Sequence, residues 1–478
     1  MAEAAALHAG VACVPLAPPL GVPLMGYGAR QGVALATHDP LFARALHLRS
    51  TSGGAPRSVL MVALDVCLLA PAQALGVRER IAAATGLPVA AITVASTHTH
   101  SGPDTGLGDA LEGRPPAPHV AALLDAAVRA GEEAIRTAGP ATLGTGRAEA
   151  AIGRNRRRAD GPLDSGVTVV RVDRANGAPL AVLYSHGCHP TALGHDNLEF
   201  SADWPGAASR RIEAELPGAR AIFLLGAHAD VDPRTRGLQD VALEGQSVGV
   251  GFDVMEALGD ELGAAVALAA QTISTSPHAT VDAASRLVTL VTHPGSGSAE
   301  ERARRLEAGR RAALEVLGLD PAQRVRSQEL FELAHARTAG LSLGVRRETI
   351  ARVRRDLRDR QAAWFAGGAE VAVEVQALRL GPVRWLALPL EATVDVGLDW
   401  QARARGPAAV LSIANGWLRY LPHGRNFSEN HADQGYEVLT STFVAEAAER
   451  LLSAGHDLFL QLEARPSESD IDFHNRNE

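Results

Sequence analysis

The chain has 478 residues, of which 46% are hydrophobic and 21% are charged, and its formal net charge is −8 at pH 7. This composition is typical of a globular protein and argues against a disordered chain. The charges are scattered, which argues against a nucleic-acid-binding surface, and three widely spaced cysteines argue against a disulfide framework.

The N-terminus has no basic region followed by an apolar run, and no stretch of about 20 apolar residues is present. We therefore expect a cytoplasmic protein without a signal peptide or a transmembrane segment.

Strand and helix patterns alternate in the first half of the chain. Short apolar and β-branched runs predict strands, and alanine-rich runs with helical spacing predict helices. Gly86 is expected to end the first helix, because glycine readily adopts the left-handed conformation that follows a helix. The predicted strands lie at 11–19, 46–49, 58–64, 91–95, 167–172, 180–185 and 221–225, and the predicted helices at 72–84, 119–138 and 207–214.

Two helical patterns rich in Arg, Ala, Glu and Leu, at 299–317 and 346–363, predict a surface helical insertion around 296–366. The expected fold is α/β, with mixed β-sheets flanked by helices, in a single domain at 1–466 that is followed by a polar tail at 467–478. The remaining predicted elements are strands at 370–378 and 383–388, a loop-rich stretch at 415–436 and a helix at 440–454.

Histidines directly follow three of the predicted apolar strands. His98 and His100 follow the first of these strands, His189 follows the second, and His228 follows the third. In α/β sheets, functional sites form at the carboxyl ends of strands. The sequence therefore predicts that a site is assembled from these strand ends.

His98 and His100 belong to the run THTHSGP that begins at Thr97. Residues i and i+2 of a strand point to the same side, so both imidazoles are expected to face one way. Two such imidazoles suit zinc, which binds histidine nitrogen at about 2.0–2.1 Å. Two hydrogen-bonded histidines at a strand end are the alternative, but the Ser-Gly-Pro turn that follows favours the metal.

Four further residues of the second and third strand ends have more than one interpretation each. His189 precedes a proline and is either a ligand or a hydrogen-bonded loop histidine. Cys188 is interpreted as a small buried filler, with a thiolate ligand or nucleophile as the alternative. Asp230 and Asp232 are acid/base groups, ligands of a second metal, or members of an Asx-turn.

Three other residues bear on which side chains bind the metal. His186 and His195 compete with His189, because spacing alone does not exclude them. Glu391 follows an apolar strand and a proline, and a buried carboxylate at this position needs a metal, an arginine or a helix N-terminus as its partner.

Short motifs follow one another in a fixed order along nearly the whole chain. They are PPLGVP at 18–23, GYG at 26–28, HDPL at 38–41, ARAL at 43–46, Asp65, THTHSGP at 97–103, NRR at 155–157, CHPT at 188–191, SAD at 201–203, DVDP at 230–233, LPLE at 388–391, AN at 414–415, YLP at 420–422 and YE at 436–437. This ordered set resembles the neutral/alkaline (non-lysosomal) ceramidase family, specifically its N-terminal catalytic domain.

The resemblance implies one Zn²⁺ per chain, in a fold like that of the ceramidase catalytic domain. Carried over by motif, the zinc ligands are His98, His189, Glu391 and Tyr420. The resemblance also implies that His100 lies beside the metal, whereas the strand pattern alone predicts that both histidines of the run are ligands.

The resemblance further implies a substrate site lined by Arg156 and Tyr436, with Gly26 at its wall. The chain departs from the family pattern near this site. Asp232 stands where the family carries the serine of Gly-Asp-Val-Ser-Pro, and His228 is an additional imidazole. The immunoglobulin-like C-terminal domain of the family is also expected to be absent. These departures argue against ceramide, a membrane lipid, as the substrate.

The sequence thus predicts a zinc-dependent amidohydrolase that cleaves the amide (N-acyl) bond of a soluble small molecule with zinc-activated water. His100 is the expected proton shuttle, and Asp232 orients it or takes the proton itself. Arg156 and Tyr436 are expected to stabilise the oxyanion.

Asp65 and Asp203 are expected to partner the ligating histidines. The alternatives are a two-metal hydrolase or esterase acting on another carbonyl substrate, and a non-catalytic zinc-binding relative. The oligomeric state is not predicted.

Overall fold

The structure is a computed structural model that describes residues 6–27, 30–52, 55–158, 160–236, 250–292, 311, 314–315, 317–320, 370–428 and 435–464. The predicted insertion around 296–366 lies almost entirely outside the described residues, as does the predicted tail at 467–478. The assignment of a single domain at 1–466 therefore stays a prediction. In the part of the chain that is described, no helix is long and apolar enough to cross a membrane.

The described part of the chain alternates between strands and helices. The strands are β1 (Leu7–Pro15), β2 (Ala36–Thr37), β3 (Phe42–Ser50), β4 (Arg57–Leu64), β5 (Ile92–Ser96), β6 (Gly139–Glu149), β7 (Gly153–Asn155), β8 (Gly166–Arg174), β9 (Pro179–His186), β10 (Glu199–Phe200), β11 (Arg220–Leu225), β12 (Val231–Pro233), β13 (Val281–Val291), β14 (Glu370–Leu380), β15 (Val383–Ala387), β16 (Glu391–Ala392), β17 (Ala408–Leu411) and β18 (Tyr420–Leu421). The helices are α1 (Pro71–Thr85), α2 (Leu107–Leu111), α3 (Pro118–Arg136), α4 (Asp203–Glu215), α5 (Phe252–Thr272), α6 (Val394–Ala404), α7 (Gly424–Ser428), α8 (Gly435–Thr440) and α9 (Ala447–Glu463).

The sequence patterns located most of these elements. The predicted first helix is α1, and it ends at Gly86, whose φ is 75°. The two strands predicted to pair around a turn are β3 and β4, which pair antiparallel. The predicted helix at 440–454 is wrong in its start, because α9 begins at Ala447. The patterns missed β6, α5, β13, α6 and β17.

The elements form four layers. The eight-stranded sheet has the order β11-β9-β8-β6-β1-β3-β4-β5, and the four-stranded sheet has the order β13-β14-β15-β17. One core lies between the two sheets. Helices α1 and α3 cover one half of the outer face of the large sheet, and α4 and α5 cover the other half. Helices α6 and α9 cover the outer face of the small sheet. The predicted α/β class with mixed sheets flanked by helices is confirmed.

Strands β4, β5, β9 and β11 of the large sheet are buried on both faces over almost their whole length, which explains their continuous apolar sequences. In β4, Leu60 and Val62 pack against the helices, whereas Val59 and Met61 face the four-stranded sheet. Such strands do not show the apolar and polar alternation of a half-exposed strand, and their length and β-branched content identify them instead.

Residues 412–415 join the two edge strands of the large sheet. The backbone N–H of Ser412 donates to the carbonyl of Leu225 at the end of β11 (2.9 Å), and the N–H of Asn415 donates to the carbonyl of Val94 in β5 (2.6 Å). The sheet is therefore curved strongly enough for its first and last strands to share one connecting segment.

A buried amide network holds this segment in place. The side-chain oxygen of Asn415 accepts a hydrogen bond from the Val94 N–H (3.0 Å), and its Nδ2 donates to Oε1 of Gln376 in β14 (2.8 Å). The hydroxyl of Thr93 donates to the same Oε1 (2.9 Å). Asn415 has a φ of 63°, and asparagine tolerates this left-handed conformation better than most residues. The network connects both sheets to the joining segment.

We expect Asn415→Ala to lower the free energy of unfolding by about 2–4 kcal/mol, because it leaves the buried Val94 N–H without this acceptor and removes the bond to Gln376. Urea unfolding followed by circular dichroism measures the change. Asn176→Ala is the control, since Asn176 also accepts a backbone N–H, from Ala178, but in an exposed turn. Equal effects in the two variants would contradict a special role of the buried network.

Candidate metal centre

The THTHSGP run follows β5, but it does not continue the strand. β5 ends at Ser96, and His98 has a φ of 69°, so the same-side rule for strands does not apply to His98 and His100. The two imidazoles nevertheless meet at right angles, with 3.3 Å between their Nε2 atoms. The His98 backbone is held by an N–H···O bond to Val66 (3.0 Å). A turn, and not strand geometry, brings the two rings together.

His189 and His228 follow the adjacent parallel strands β9 and β11. The N–H of His189 donates to the carbonyl of Val231 (2.9 Å), and the N–H of Val231 donates to the carbonyl of His228 (2.7 Å). The indole of Trp204 in α4 donates to the His189 carbonyl (2.9 Å). These backbone contacts fix both loops next to each other, and the two ring centroids lie 4.5 Å apart.

Glu391 brings a carboxylate to the same point from the small-sheet side of the fold. It lies in β16, which pairs in parallel with β18 and places Glu391 opposite Tyr420. Its Oε1 accepts a hydrogen bond from the indole N–H of Trp417 (2.7 Å). Its Oε2 lies 3.5 Å from the Nε2 atoms of His98, His189 and His228 alike.

The backbone orients all three imidazoles in the same way. The Nδ1 atom of His98 bonds the carbonyl of Cys67, that of His189 bonds the carbonyl of His228, and that of His228 bonds the carbonyl of Gly226, each at 3.0 Å. A carbonyl can only accept, so each Nδ1 donates its proton to that carbonyl, and each Nε2 faces the common centre.

Asp65 and Asp203, the predicted carboxylate partners of the ligating histidines, have other roles. Asp65 accepts the N–H of Phe42, and Asp203 accepts backbone N–H groups of the loop after His189, including that of Leu193. Backbone carbonyls orient the ligating histidines in their place.

The four side chains fit a metal ion. They are almost fully buried, and their nearest donor atoms all lie within 4.8 Å of one another. Two ligands on a tetrahedral zinc with bonds of about 2.1 Å are about 3.4 Å apart, close to the 3.5 Å observed around Oε2. In the described part of the chain, neither Oε2 of Glu391 nor Nε2 of His228 has a hydrogen-bond partner. Such buried polar atoms that converge without a hydrogen-bond partner suit a cation.

The electrostatics of the cluster give two of its members the protonation states that a metal needs. Burial lowers the pKa of His228 to about 3, and the neighbouring His189 adds to this effect. Burial alone would raise the pKa of Glu391, but the charge of His98 and the three surrounding imidazoles hold it well below its usual value. Burial opposes a charge on His98 also, yet Cys67 and Glu391 raise its pKa to about 10. Without an ion, His98 therefore holds the one proton that a metal would displace.

The predicted substrate-site residues form a second cluster beside the first. The guanidinium of Arg156 bonds Glu437 (2.8 Å) on one side and Asp232 (3.3 Å) on the other, and it lies over the ring of Tyr436. Tyr436 in turn meets the ring of Tyr420 edge-on, with centroids 5.1 Å apart. This cluster, which we call the Arg156 cluster, comprises Arg156, Asp232, Tyr436 and Glu437.

Asp232 connects the Arg156 cluster to the four-residue centre. Its Oδ1 lies 3.7 Å from Nδ1 of His189. Burial would raise the pKa of Asp232, but the charges of Arg156 and Arg236 lower it below its usual value. Asp232 is therefore a carboxylate that is held by arginines, and the structure gives no contact between it and His100.

Comparison with solved structures identifies the fold. A ceramidase "complexed with C2" is 19% identical in sequence; the match covers 96% of this chain and 76% of that chain, with a TM-score of 0.68. A neutral ceramidase from Pseudomonas aeruginosa is 20% identical, with 97% and 76% covered and the same TM-score. The chain has the neutral ceramidase fold. No protein-family model matches the chain, and no curated protein matches it either.

The buried centre contains three of the four predicted ligands, and Tyr420 lies opposite Glu391 on the paired strand. His98, His189 and Glu391 converge, and His228, which was not among the predicted ligands, joins them. The position of His228 after β11 indicated a functional residue. Asp230 follows the same strand, so the sequence did not show which of the two would join the centre. His186 bonds the carbonyl of Gly166 and is not part of the centre.

The sequence also left Glu437 without a role, although it lies in the YE motif. It is buried and is the main partner of Arg156. Nothing in the local pattern distinguishes it from a surface glutamate of a short helix.

Gly26 is the residue against which His100 packs. A Cβ atom at Gly26 would lie 2.4 Å from Cγ of His100, and the φ of 113° disfavours any side chain there. We expect Gly26→Ala to displace the His100 ring while the metal content of the protein stays unchanged. Long-range ¹H–¹⁵N NMR of the imidazoles and elemental analysis measure both effects.

Gly21→Ala is the matched control, since Gly21 has a φ of 88° but nothing within 4 Å of the added Cβ. An unmoved His100 resonance in Gly26→Ala would contradict the close packing.

Proposed function

We propose that this protein is a zinc-dependent hydrolase that cleaves the amide bond of a small N-acylated molecule. The observation that carries the proposal is the buried convergence of three Nε2 lone pairs and one carboxylate oxygen. The fold supports the choice of reaction, because the two similar solved structures described above are named as ceramidases. The departure at Asp232 supports a soluble substrate in place of a membrane lipid.

His98, His189 and Glu391 would hold the ion, since they belong both to the cluster and to the ligand set implied by the family motifs. When bound, zinc lowers the pKa of a water molecule towards about 7 and polarises a carbonyl group. The chain must then supply a proton acceptor, an oxyanion partner and a position for the acyl group.

His100 is the proton acceptor in this proposal. Its Nε2 lies 3.3 Å from that of His98, so it borders the centre, and its Nδ1 is buried with no hydrogen-bond partner among the described residues. Burial lowers the pKa of His100 well below the usual value, so the ring is neutral at pH 7 and has a free nitrogen lone pair. The edge of its ring rests on Tyr27, which limits its rotation.

Arg156 and Tyr436 would position the substrate and stabilise the developing oxyanion, with Gly26 at the wall of the site. Because Glu437 and Asp232 hold two sides of the Arg156 guanidinium, this group is oriented before the substrate binds. Asp232 is a positioning residue in this proposal, since its carboxylate pairs with the Arg156 guanidinium.

A two-metal centre is less well supported. Among the described residues, the second group that could hold a metal is Cys67, His98 and His100, and it shares His98 with the first. Asp230 accepts the N–H of Val394, and Asp232 pairs with Arg156. The candidate ligands of a second ion are therefore engaged elsewhere.

The proposal is tested by elemental analysis of the purified protein and by hydrolysis of N-acyl amides of graded chain length, with and without a chelator. We expect about one zinc per chain and chelator-sensitive cleavage. One zinc per chain without any cleavage would favour the alternative of a non-catalytic zinc-binding relative. Two ions per chain would favour the two-metal hydrolase.

His98→Ala and His189→Ala should each remove both the metal and the activity, because each deletes one of the converging nitrogens. His186→Ala is the matched control, since His186 is also buried and its Nδ1 also bonds a backbone carbonyl, but it lies outside the centre. A variant of His98 or His189 that keeps full zinc content would refute the assignment.

Asp232→Asn should lower kcat by about 10- to 100-fold while the zinc content stays unchanged, because Arg156 loses a charged partner and shifts from its position. Steady-state kinetics and elemental analysis measure the two effects. Asp173→Asn is the control, since Asp173 is a buried partner of Arg171 outside the site. An unchanged kcat would reduce Asp232 to a structural residue.

A further inference from the structure

We propose that His228 is the fourth protein ligand of the metal and that Tyr420 remains an unbound phenol that donates a hydrogen bond to the substrate. The inference deepens the proposed function and rests on it only for the role of Tyr420. It replaces the tyrosine of the motif-derived ligand set with a histidine that is particular to this chain.

The His228 imidazole lies at the same distance from the Glu391 carboxylate as the imidazoles of His98 and His189. Its Nε2 lies 3.5 Å from Oε2 of Glu391, as do those of His98 and His189, and its ring centroid is 5.1 Å from that of His98. The side chain is fully buried, and in the described part of the chain its Nε2 has no hydrogen-bond partner. A buried nitrogen without a hydrogen-bond partner destabilises the fold, and coordination of a metal removes this cost.

The backbone prepares His228 for this role. Its Nδ1 donates to the carbonyl of Gly226, which directs Nε2 into the centre. Its own carbonyl accepts from Nδ1 of His189, and the N–H of Ala229 donates to the carbonyl of Ala392 beside Glu391. The main chain of His228 thus orients one ligand while its side chain supplies another. Substitution of the side chain leaves the main-chain bond available.

The number of donors argues against Tyr420 as a further ligand. His98, His189, His228 and Glu391 already supply four donor atoms, and a catalytic zinc needs an open position that it fills with water or substrate. A phenolate would occupy that position in a five-coordinate ion.

Tyr420 lies opposite Glu391 on the paired strand β18 and against the ring of Tyr436. This position is suited to a hydrogen bond to a carbonyl oxygen at the centre.

Metal titration of the full chain tests the inference without any substrate, so the result is independent of whether the protein cleaves amides. We expect His228→Asn to weaken Zn²⁺ affinity by at least about 100-fold in a chelator competition assay, and Tyr420→Phe to change it by less than about 3-fold. His186→Asn is the matched control and should behave as the wild type.

A second variant separates the loss of a metal ligand in His228→Asn from a loss of the folded state. His228→Cys should bind Co²⁺ and show a thiolate-to-cobalt charge-transfer band in the near ultraviolet that the wild type lacks, because cysteine replaces the imidazole as a ligand.

Wild-type Zn²⁺ affinity in His228→Asn overturns the assignment of His228. A large loss of affinity in Tyr420→Phe makes Tyr420 a ligand and overturns the second half of the inference. Where metal binding follows the expectation, a lower kcat with unchanged zinc content in Tyr420→Phe supports its role as a donor.

Discussion

The connection between β5 and β11 through residues 412–415 is the constraint on which the metal centre depends. These strands are the two edges of an eight-stranded sheet, and a flat sheet would hold them several strand spacings of about 4.8 Å apart. His98 follows one edge and His228 follows the other, so their imidazoles meet only because the sheet curves and the connecting segment bonds to both edges. The amide network of Asn415 is therefore important to the centre as well as to the core.

Backbone strain is concentrated around the same centre. His98 and Arg419 have φ values of 69° and 75°, and such left-handed conformations cost about 1–3 kcal/mol for residues other than glycine. Both residues are held by hydrogen bonds, His98 through its N–H to Val66 and Arg419 through its carbonyl, which accepts the N–H of Glu391. The surrounding packing thus maintains conformations that place ligand side chains where regular strand geometry would not.

The charges beside the centre are arranged in pairs. Arg156 follows β7, Asp232 lies in β12 and Glu437 lies in α8, so one guanidinium connects three elements that are distant in sequence. Removing one partner from a buried ion pair leaves an uncompensated charge, which makes such a cluster sensitive to substitution. The Asp232 carboxylate therefore affects more than its own position, because it neutralises part of the charge of the buried Arg156 guanidinium.

The sequence by itself determined which residues follow strands. Apolar runs of five to eight residues specify strands through burial, so the positions of His98, His189, His228 and Glu391 at or near strand ends were readable, and so was the α/β class. The THTHSGP motif further pointed to the correct fold, although the expected strand conformation of the run was wrong.

Only the tertiary structure decided which of these residues share one point. His228 and Asp230 both follow β11 within a few residues, and the turn in which the Val231 N–H bonds the His228 carbonyl sends the imidazole into the centre and the carboxylate to the N–H of Val394. Likewise, Asp65 and Asp203 had the right chemistry to orient the histidines, but backbone carbonyls took that role. Such choices depend on sheet curvature and on hydrogen bonds between segments far apart in the chain, which a local pattern does not encode.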